Sequence, residues 1–162
     1  MRGADFEAYV RAVSPGLLRF SHVLTLDRSE AEDLAQETLI RVGLAWSRVR
    51  QEGNPVGYAN RTMVNLFLNR RRKRADIPVA AVPESGRDDL GFAAVDAAGA
   101  LRDLLAVLPP RQRAAVALRY VNDMPDDEIA ALLGCSPQTV RSQVSRGLAL
   151  MRSQRPDEEA TS

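Results

Sequence analysis

The stretch PDDEIAALLGCSPQTVRSQVSRGLALMR, residues 125–152, leaves few folds open to the chain that carries it. Its first half sets Ile129, Ala130, Leu132 and Leu133 at helical spacing and stops at Gly134, the residue type freest to take the left-handed conformation of a tight turn. A second helix is expected at once. Ser136 can offer its hydroxyl to an exposed backbone N–H, and Pro137 falls at the first helical position, where its missing N–H costs nothing. Val140, Val144, Leu148 and Met151 then line up as one apolar stripe. The opposite face carries Gln138, Thr139, Arg141, Ser142, Ser145 and Arg146, short polar groups and guanidinium forks of the kind that hydrogen-bond base edges and phosphates in a major groove. Two short helices joined by a Gly turn, the second polar and basic outside, predict a helix-turn-helix with a recognition helix. An ordinary helical hairpin with a solvated face would not need cap, turn and stripe to agree in register.

The rest of the chain bounds what this unit can belong to. With 162 residues and 45% hydrophobic content it can bury one moderate core or two small ones, and aromatics at 5% make those cores aliphatic. The single cysteine, Cys135, excludes an internal disulfide and is expected to be a small buried apolar residue at the turn. No apolar run is long enough for a signal peptide or approaches the roughly 20 residues of a membrane helix, so a soluble protein of the reducing cytoplasm is expected. His22, the only histidine, has no nearby ligand partner and reads as structural. Neither a nucleophile–base pair nor metal-ligand spacing nor a Gly-rich phosphate loop appears, so no enzyme activity, cofactor or metal is expected.

Net charge is only +1, but it is unevenly placed. Residues 1–75 hold 13 Lys+Arg and 8 Asp+Glu, residues 76–96 hold 1 and 5, and residues 97–162 hold 8 and 8. The acidic middle, with Pro78, Pro83, Gly86 and Gly91 and no sustained period, reads as a linker. Four parts are therefore expected: a helical domain over 1–75, a flexible acidic linker over 76–96, a helical domain over 97–155 and a disordered tail over 156–162.

In the first domain, apolar positions from Phe6 to Leu24 fit two helical segments interrupted at Ser14, Pro15 and Gly16. Asp27 or Ser29 caps a helix to about Val42, with Ala31, Leu34, Ala35, Thr38 and Val42 as its buried stripe. Asp33, Gln36 and Glu37 share one exposed edge, which periodicity alone leaves as a solvated face. A loop is expected over 50–55, then a helix from about Val56 into the cations Arg70, Arg71, Arg72, Lys73 and Arg74, a cluster that favours nucleic acid over a generic solvated tail. In the second domain a helix from Ala97 carries Leu101, Leu104, Leu105 and Leu108, and another over 111–121 offers Ala114, Val116, Ala117, Leu118 and Val121 to the core.

Taken together, these features resemble a bacterial sigma factor of the extracytoplasmic-function, group four class, closest to the compact actinobacterial SigE-like type. AEDLAQETLIRV, residues 31–42, is similar to the family's core-binding helix, and the resemblance implies that Asp33, Gln36 and Glu37 contact the clamp helices of the polymerase beta-prime subunit. NPVGYANRTMVNLFLNRRRKR, residues 54–74, resembles the promoter-melting and minus-ten segment, with Asn54, Tyr58, Arg61, Asn65, Arg70, Arg71 and Arg72 at matching places. The 50–55 loop would then hold a flipped base of the non-template strand. Residues 125–152, introduced by LPPRQRAAVALRY, are similar to the minus-thirty-five reader. The resemblance further implies an all-α fold of two small domains, a linker that threads the active-site cleft and RNA exit channel, and a chain that is monomeric when free. Its implied partners are core RNA polymerase, through the beta-prime clamp helices and the beta flap, and promoter DNA. An anti-sigma protein is common for the class, and no membrane contact is implied.

Two departures stand out. Pro125 occupies the place where the family usually sets a Ser or Thr cap, so the cap must come from elsewhere or the helix must start later. Aromatics are also sparse over residues 50–58. A stand-alone helix-turn-helix regulator and a polymerase-binding competitor without initiation activity are the alternative functions. A simple regulator has no use for the Asp33–Gln36–Glu37 edge or the basic end of the preceding domain.

Overall fold

The structure, a computed structural model, describes residues 2–75 and 95–154, and the described residues form eight α-helices. They are distributed over two compact units that divide between Gly86 and Arg87. The expected linker, apart from its last two residues, and the expected disordered tail lie outside the described residues.

In the first unit α1 (Arg2–Thr25) runs unbroken through Pro15, where two segments were expected. A proline inside a helix removes one ladder hydrogen bond and crowds the preceding turn. Here the helix is held from outside that turn, because Leu17, Phe20 and Leu24 are buried, and the Ser14 hydroxyl donates to the Val10 carbonyl at 2.5 Å. α2 (Arg28–Leu44) starts on Asp27, whose carboxylate accepts the Glu30 N–H at 3.0 Å. Its buried set is Ala31, Leu34, Ala35, Thr38 and Val42, the stripe expected from periodicity. α1 and α2 approach closely enough at Ala31 for the buried Ser21 hydroxyl to donate to its carbonyl at 2.6 Å.

α3 (Trp46–Glu52) takes up the first half of the expected 50–55 loop. Trp46 and Val49 are buried and anchor a helical turn, so the chain break is confined to Gly53, at φ 81°, and Asn54. Pro55 opens α4 (Pro55–Ala75), which buries Ala59, Met63, Val64, Leu66 and Phe67. The N-terminal half of α1 braces this junction. Phe6 and Tyr9 lie 5.3 and 4.9 Å from the Trp46 ring, the Tyr9 hydroxyl donates to the Pro55 carbonyl at 3.0 Å, and Asp5 pairs with Arg50 at 2.8 Å.

In the second unit α5 (Val95–Ala106) begins two residues before the expected start, so Val95 and Asp96 are helix and not linker. α6 (Pro110–Tyr120), α7 (Asp126–Leu133) and α8 (Pro137–Ser153) follow. α6 buries an unbroken run from Arg113 to Leu118. Val121, expected in the core, is 43% exposed because α6 ends at Tyr120 and the residue turns away with the chain. Leu101 is also exposed, whereas Leu105 and, just beyond the end of α5, Leu108 are buried. The stop at α5 is secured by Arg113, which is buried and donates to the Leu105 carbonyl from Nε and to the Leu108 carbonyl from Nη2, each at 3.0 Å. α8 packs on α6 at Gly147, where a Cβ would stand 3.1 Å from Val116.

Candidate nucleic-acid and protein interfaces

The α7–α8 pair has the expected turn. Gly134 closes α7 at φ 70°, and the Cys135 N–H bonds the Ala130 carbonyl at 3.0 Å. The Ser136 hydroxyl accepts the Thr139 N–H at 3.1 Å and lies 2.9 Å from the Thr139 hydroxyl. Pro125 is followed directly by α7 without any side-chain cap. The Pro125 carbonyl takes the Glu128 and Ile129 N–H groups, and Asp126, Asp127 and Glu128 set negative charge against the helix N-terminus.

On α8 the stripe faces inward: Val140 and Val144 are buried with Gly147, and Leu148 and Met151 are half-buried. Gln138, Thr139, Arg141, Ser145 and Arg146 are exposed and Ser142 partly so, which brings all six expected readers to one side of one rigid helix. Arg141 also reaches Asp126 at 3.8 Å, a carboxylate it shares with Arg119 at 3.7 Å. This face of α8 is basic and hydroxyl-rich, with groups able to hydrogen-bond base edges and phosphates.

On α4 the five consecutive cations divide into two sets. Arg70 and Arg71 are half-buried against the packed side, and Arg74, though exposed, bends back to an acid on α2. Arg71 lies over the Phe67 ring at 5.3 Å and donates to the Thr25 carbonyl at 3.3 Å, and both Arg71 and Arg74 pair with Glu30, at 3.4 and 3.3 Å. Burial pushes the Arg71 guanidinium pKa down from its ordinary value. Arg72 and Lys73 stay exposed. Arg72 continues a line from Tyr58 through Arg61, Asn65 and Asn69, whose spacing of three and four puts them on the open face of α4. Of the expected minus-ten set, then, Tyr58, Arg61, Asn65 and Arg72 form one surface, and Arg70 and Arg71 do not join it. Asn54 lies at the head of the helix, where its side chain accepts the Gly57 N–H at 3.1 Å; a Cβ on Gly57 would overlap that amide.

Sequence reasoning missed two members of this surface, Asn69 and Arg48. Arg48 comes from α3, donates to the Tyr58 hydroxyl at 3.1 Å and sits 5.9 Å from its ring centroid. Spacing on α4 would have found Asn69, whereas only the fold brings Arg48 to the face.

The acidic edge of α2 is present but already engaged. Asp33 and Gln36 are exposed and Glu37 partly so. Arg70 pairs with Asp33 at 3.1 Å and with Glu37 through a short bond to Oε2, while Arg41 takes Oε1 of Glu37 at 3.3 Å. The Arg70 hydrogen bond, aided by Arg41, holds the Glu37 carboxyl below its ordinary pKa. Ile40 and Leu44, not singled out from the sequence, extend this edge by one and two turns and are 57% and 85% exposed. The same three-and-four spacing that found Asp33, Gln36 and Glu37 reaches them.

The chain thus has two helical units, one ending in a helix-turn-helix and the other carrying a cationic, amide-rich helix face. Residues 5–77 match Sigma-70 region 2, and residues 98–151 match Sigma-70, region 4. The RNA polymerase sigma-E factor of Streptomyces coelicolor is 38% identical over 150 residues, covering 91% of this chain and 84% of that one. The ECF RNA polymerase sigma factor SigE of Mycolicibacterium smegmatis is 34% identical over 156 residues, 91% of this chain and 60% of that one. The sigma factor RpoE of Bartonella quintana, solved in complex with the anti-sigma factor NepR, superposes with a TM-score of 0.71 at 25% identity, covering 92% of this chain and 95% of that one. The chain belongs to the extracytoplasmic-function sigma factors of RNA polymerase. It directs promoter-specific transcription initiation by the core enzyme, and the family's members are in general initiation factors without enzymatic activity of their own. Among the described residues no helix is long and apolar enough to cross a membrane.

Proposed function

We propose that the initiation role is divided among three surfaces. Asp33, Gln36 and Glu37, continued by Ile40 and Leu44, dock on the beta-prime clamp helices; acid and amide groups engage basic residues at one end and apolar side chains are covered at the other. The open face of α4, with Asn54, Tyr58, Arg61, Asn65 and Arg72, holds the opened minus-ten strand: cations track its backbone and Tyr58 offers a ring on which a base can stack. Gln138, Thr139, Arg141, Ser142, Ser145 and Arg146 read the minus-thirty-five element in the major groove, each good bidentate contact worth about 1–3 kcal/mol of discrimination. Residues 1–75 and 95–155 act as the two domains of this division, with 76–94 between them passing through the core enzyme. The beta flap is the second unit's polymerase contact, the free chain is a monomer, and its place is the cytoplasm, where polymerase is.

The observation that carries this reading is the separation on the first unit of an acidic and apolar edge on α2 from a cationic and amide face on α4. One helix suits a protein partner and the other a nucleic acid. The structure of the Bartonella relative holds an anti-sigma factor, and an inhibitor of that kind for this chain would act by covering the α2 edge. The test is core binding by the Glu37→Lys chain, which reverses charge on the edge. Core affinity is expected to fall at least tenfold while helix content by circular dichroism is kept; unchanged affinity would remove the edge from the interface.

A further inference from the structure

Arg70 stands between two of these surfaces and cannot serve both at once. Its Nη1 lies 3.1 Å from Asp33 Oδ2 and its Nη2 bonds Glu37 Oε2, and its side chain is 23% exposed against 70% for Asp33. The other oxygen of Glu37 is held by Arg41 at 3.3 Å. Both oxygens of the glutamate are thus occupied by guanidinium groups of the same chain. A partner that recognises this edge through cationic groups has to displace them. The carboxylate side of these pairs is open to water, 70% for Asp33 and 37% for Glu37, so an incoming cation on a rigid partner can reach the acids and replace the guanidinium groups. Arg41, with 55% of its side chain exposed, returns to solvent. Arg70 has a different exit: its neighbours Asn69 and Lys73 on α4 border the open face of that helix, and the cations there leave a displaced guanidinium favourable company only if an anion is present.

We infer that Arg70 is a cation shared between the two interfaces, closed over Asp33 and Glu37 in the free chain and turned to a backbone phosphate of the opened strand once polymerase takes those carboxylates. The inference rests on the proposed assignment of the α2 edge to polymerase. It makes core binding and strand capture mutually reinforcing: each raises the affinity for the other by the same factor, commonly 5–150-fold for coupled sites. It also accounts for a residue that family likeness puts on DNA and the structure puts on the acidic edge.

The test uses the full chain, core polymerase from the same organism and a dye-labelled single-stranded DNA of mixed sequence added to the assembled holoenzyme. Arg70→Gln is expected to bind core several-fold more tightly, because the edge is no longer masked. In the same variant the slope of log affinity for the strand against log salt should shrink by about 0.7, the share of one phosphate on a single strand. Arg70→Lys, which keeps the charge but cannot fork across two carboxylates, should also tighten core binding yet retain the slope. If Arg70→Gln keeps its helix content and its core affinity is unchanged or weaker, Arg70 is a brace and the inference is overturned; an unchanged salt slope overturns it as well. Glu37→Lys separates the two readings. Wild-type core affinity in that variant removes the edge itself, whereas lost core affinity there, with both Arg70→Gln readouts at wild type, keeps the edge and removes the shared cation.

Discussion

Two arginines of this chain illustrate opposite uses of one side chain. Arg113 is buried to 7% exposure and ends α5 by donating to the carbonyls of Leu105 and Leu108. Each charge-assisted bond of this kind contributes about 1.5–3 kcal/mol, and its loss strands a buried carbonyl. Arg113→Ala is expected to destabilise the second unit by about 3 kcal/mol, read as an earlier thermal transition, with Arg113→Lys in between because one ammonium cannot reach both carbonyls in a fork. Arg70, by contrast, is half-buried and pairs with carboxylates that face water, and its effect is carried by Glu37. That carboxyl has a depressed pKa in the folded chain, so its contribution to stability is fully present above the ordinary glutamate range, declines as pH falls through that range and is gone below the depressed value. A side-chain NMR titration should show the Glu37 midpoint below that of exposed glutamates and rising toward theirs in Arg70→Gln, with Arg41 still in place. An ordinary midpoint in the wild-type chain would mean that the pair is not formed in solution.

At the scale of the element, local chemistry made most helices legible. The Asp27 and Ser136 caps, the Gly134 stop and the stripes of α2 and α8 are each set by residues within a turn or two of one another, and each is present. What sequence could not give depended on contacts from afar. Pro15 looks like a break until Leu17, Phe20 and Leu24 are seen buried, and the 50–55 stretch looks like a loop until Trp46 meets Phe6 and Tyr9. The same limit applied to the sites: the faces of α8 and α2 follow from spacing, but the division of residues 70–74 into inward and outward cations follows from where Glu30, Asp33 and Glu37 lie. The uncapped start of α7 has a measurable consequence. Pro125 already holds the extended backbone of a cap position, φ −71° and ψ 156°, so Pro125→Ser should add a cap worth about 1 kcal/mol. The chain entropy returned to the unfolded state subtracts about 0.5 kcal/mol, leaving a net gain near half of that cap. Slower amide exchange in the first turn of α7 would register it, and exchange as fast as wild type would show that the first-turn carboxylates already suffice.

For the molecule as a whole, the two surfaces proposed to meet promoter DNA are carried by separate units, α4 in one and α8 in the other. Substitutions in the two should therefore act independently on promoter binding. Arg141→Ala is expected to weaken upstream protection in footprints and spare core binding, and Arg61→Ala to weaken strand capture. Their costs in the double variant should add to within about 0.5 kcal/mol, the usual result for sites without shared partners. A larger departure would mean that the strand and the major groove are read through one coupled event.

Leu44 has 85% of its surface open to water and Ile40 has 57%. Side chains of that kind gain on the order of 25 cal/mol for each Å² that is covered, whoever covers it. The unbound chain therefore carries an exposed greasy spot at the very place where its working partner is proposed to sit. If polymerase sits there as proposed, any other molecule that shelters these two side chains would by the same contact keep polymerase off. How readily the chain assembles and how readily it is kept idle would then be one property, set by two residues one turn apart on a helix.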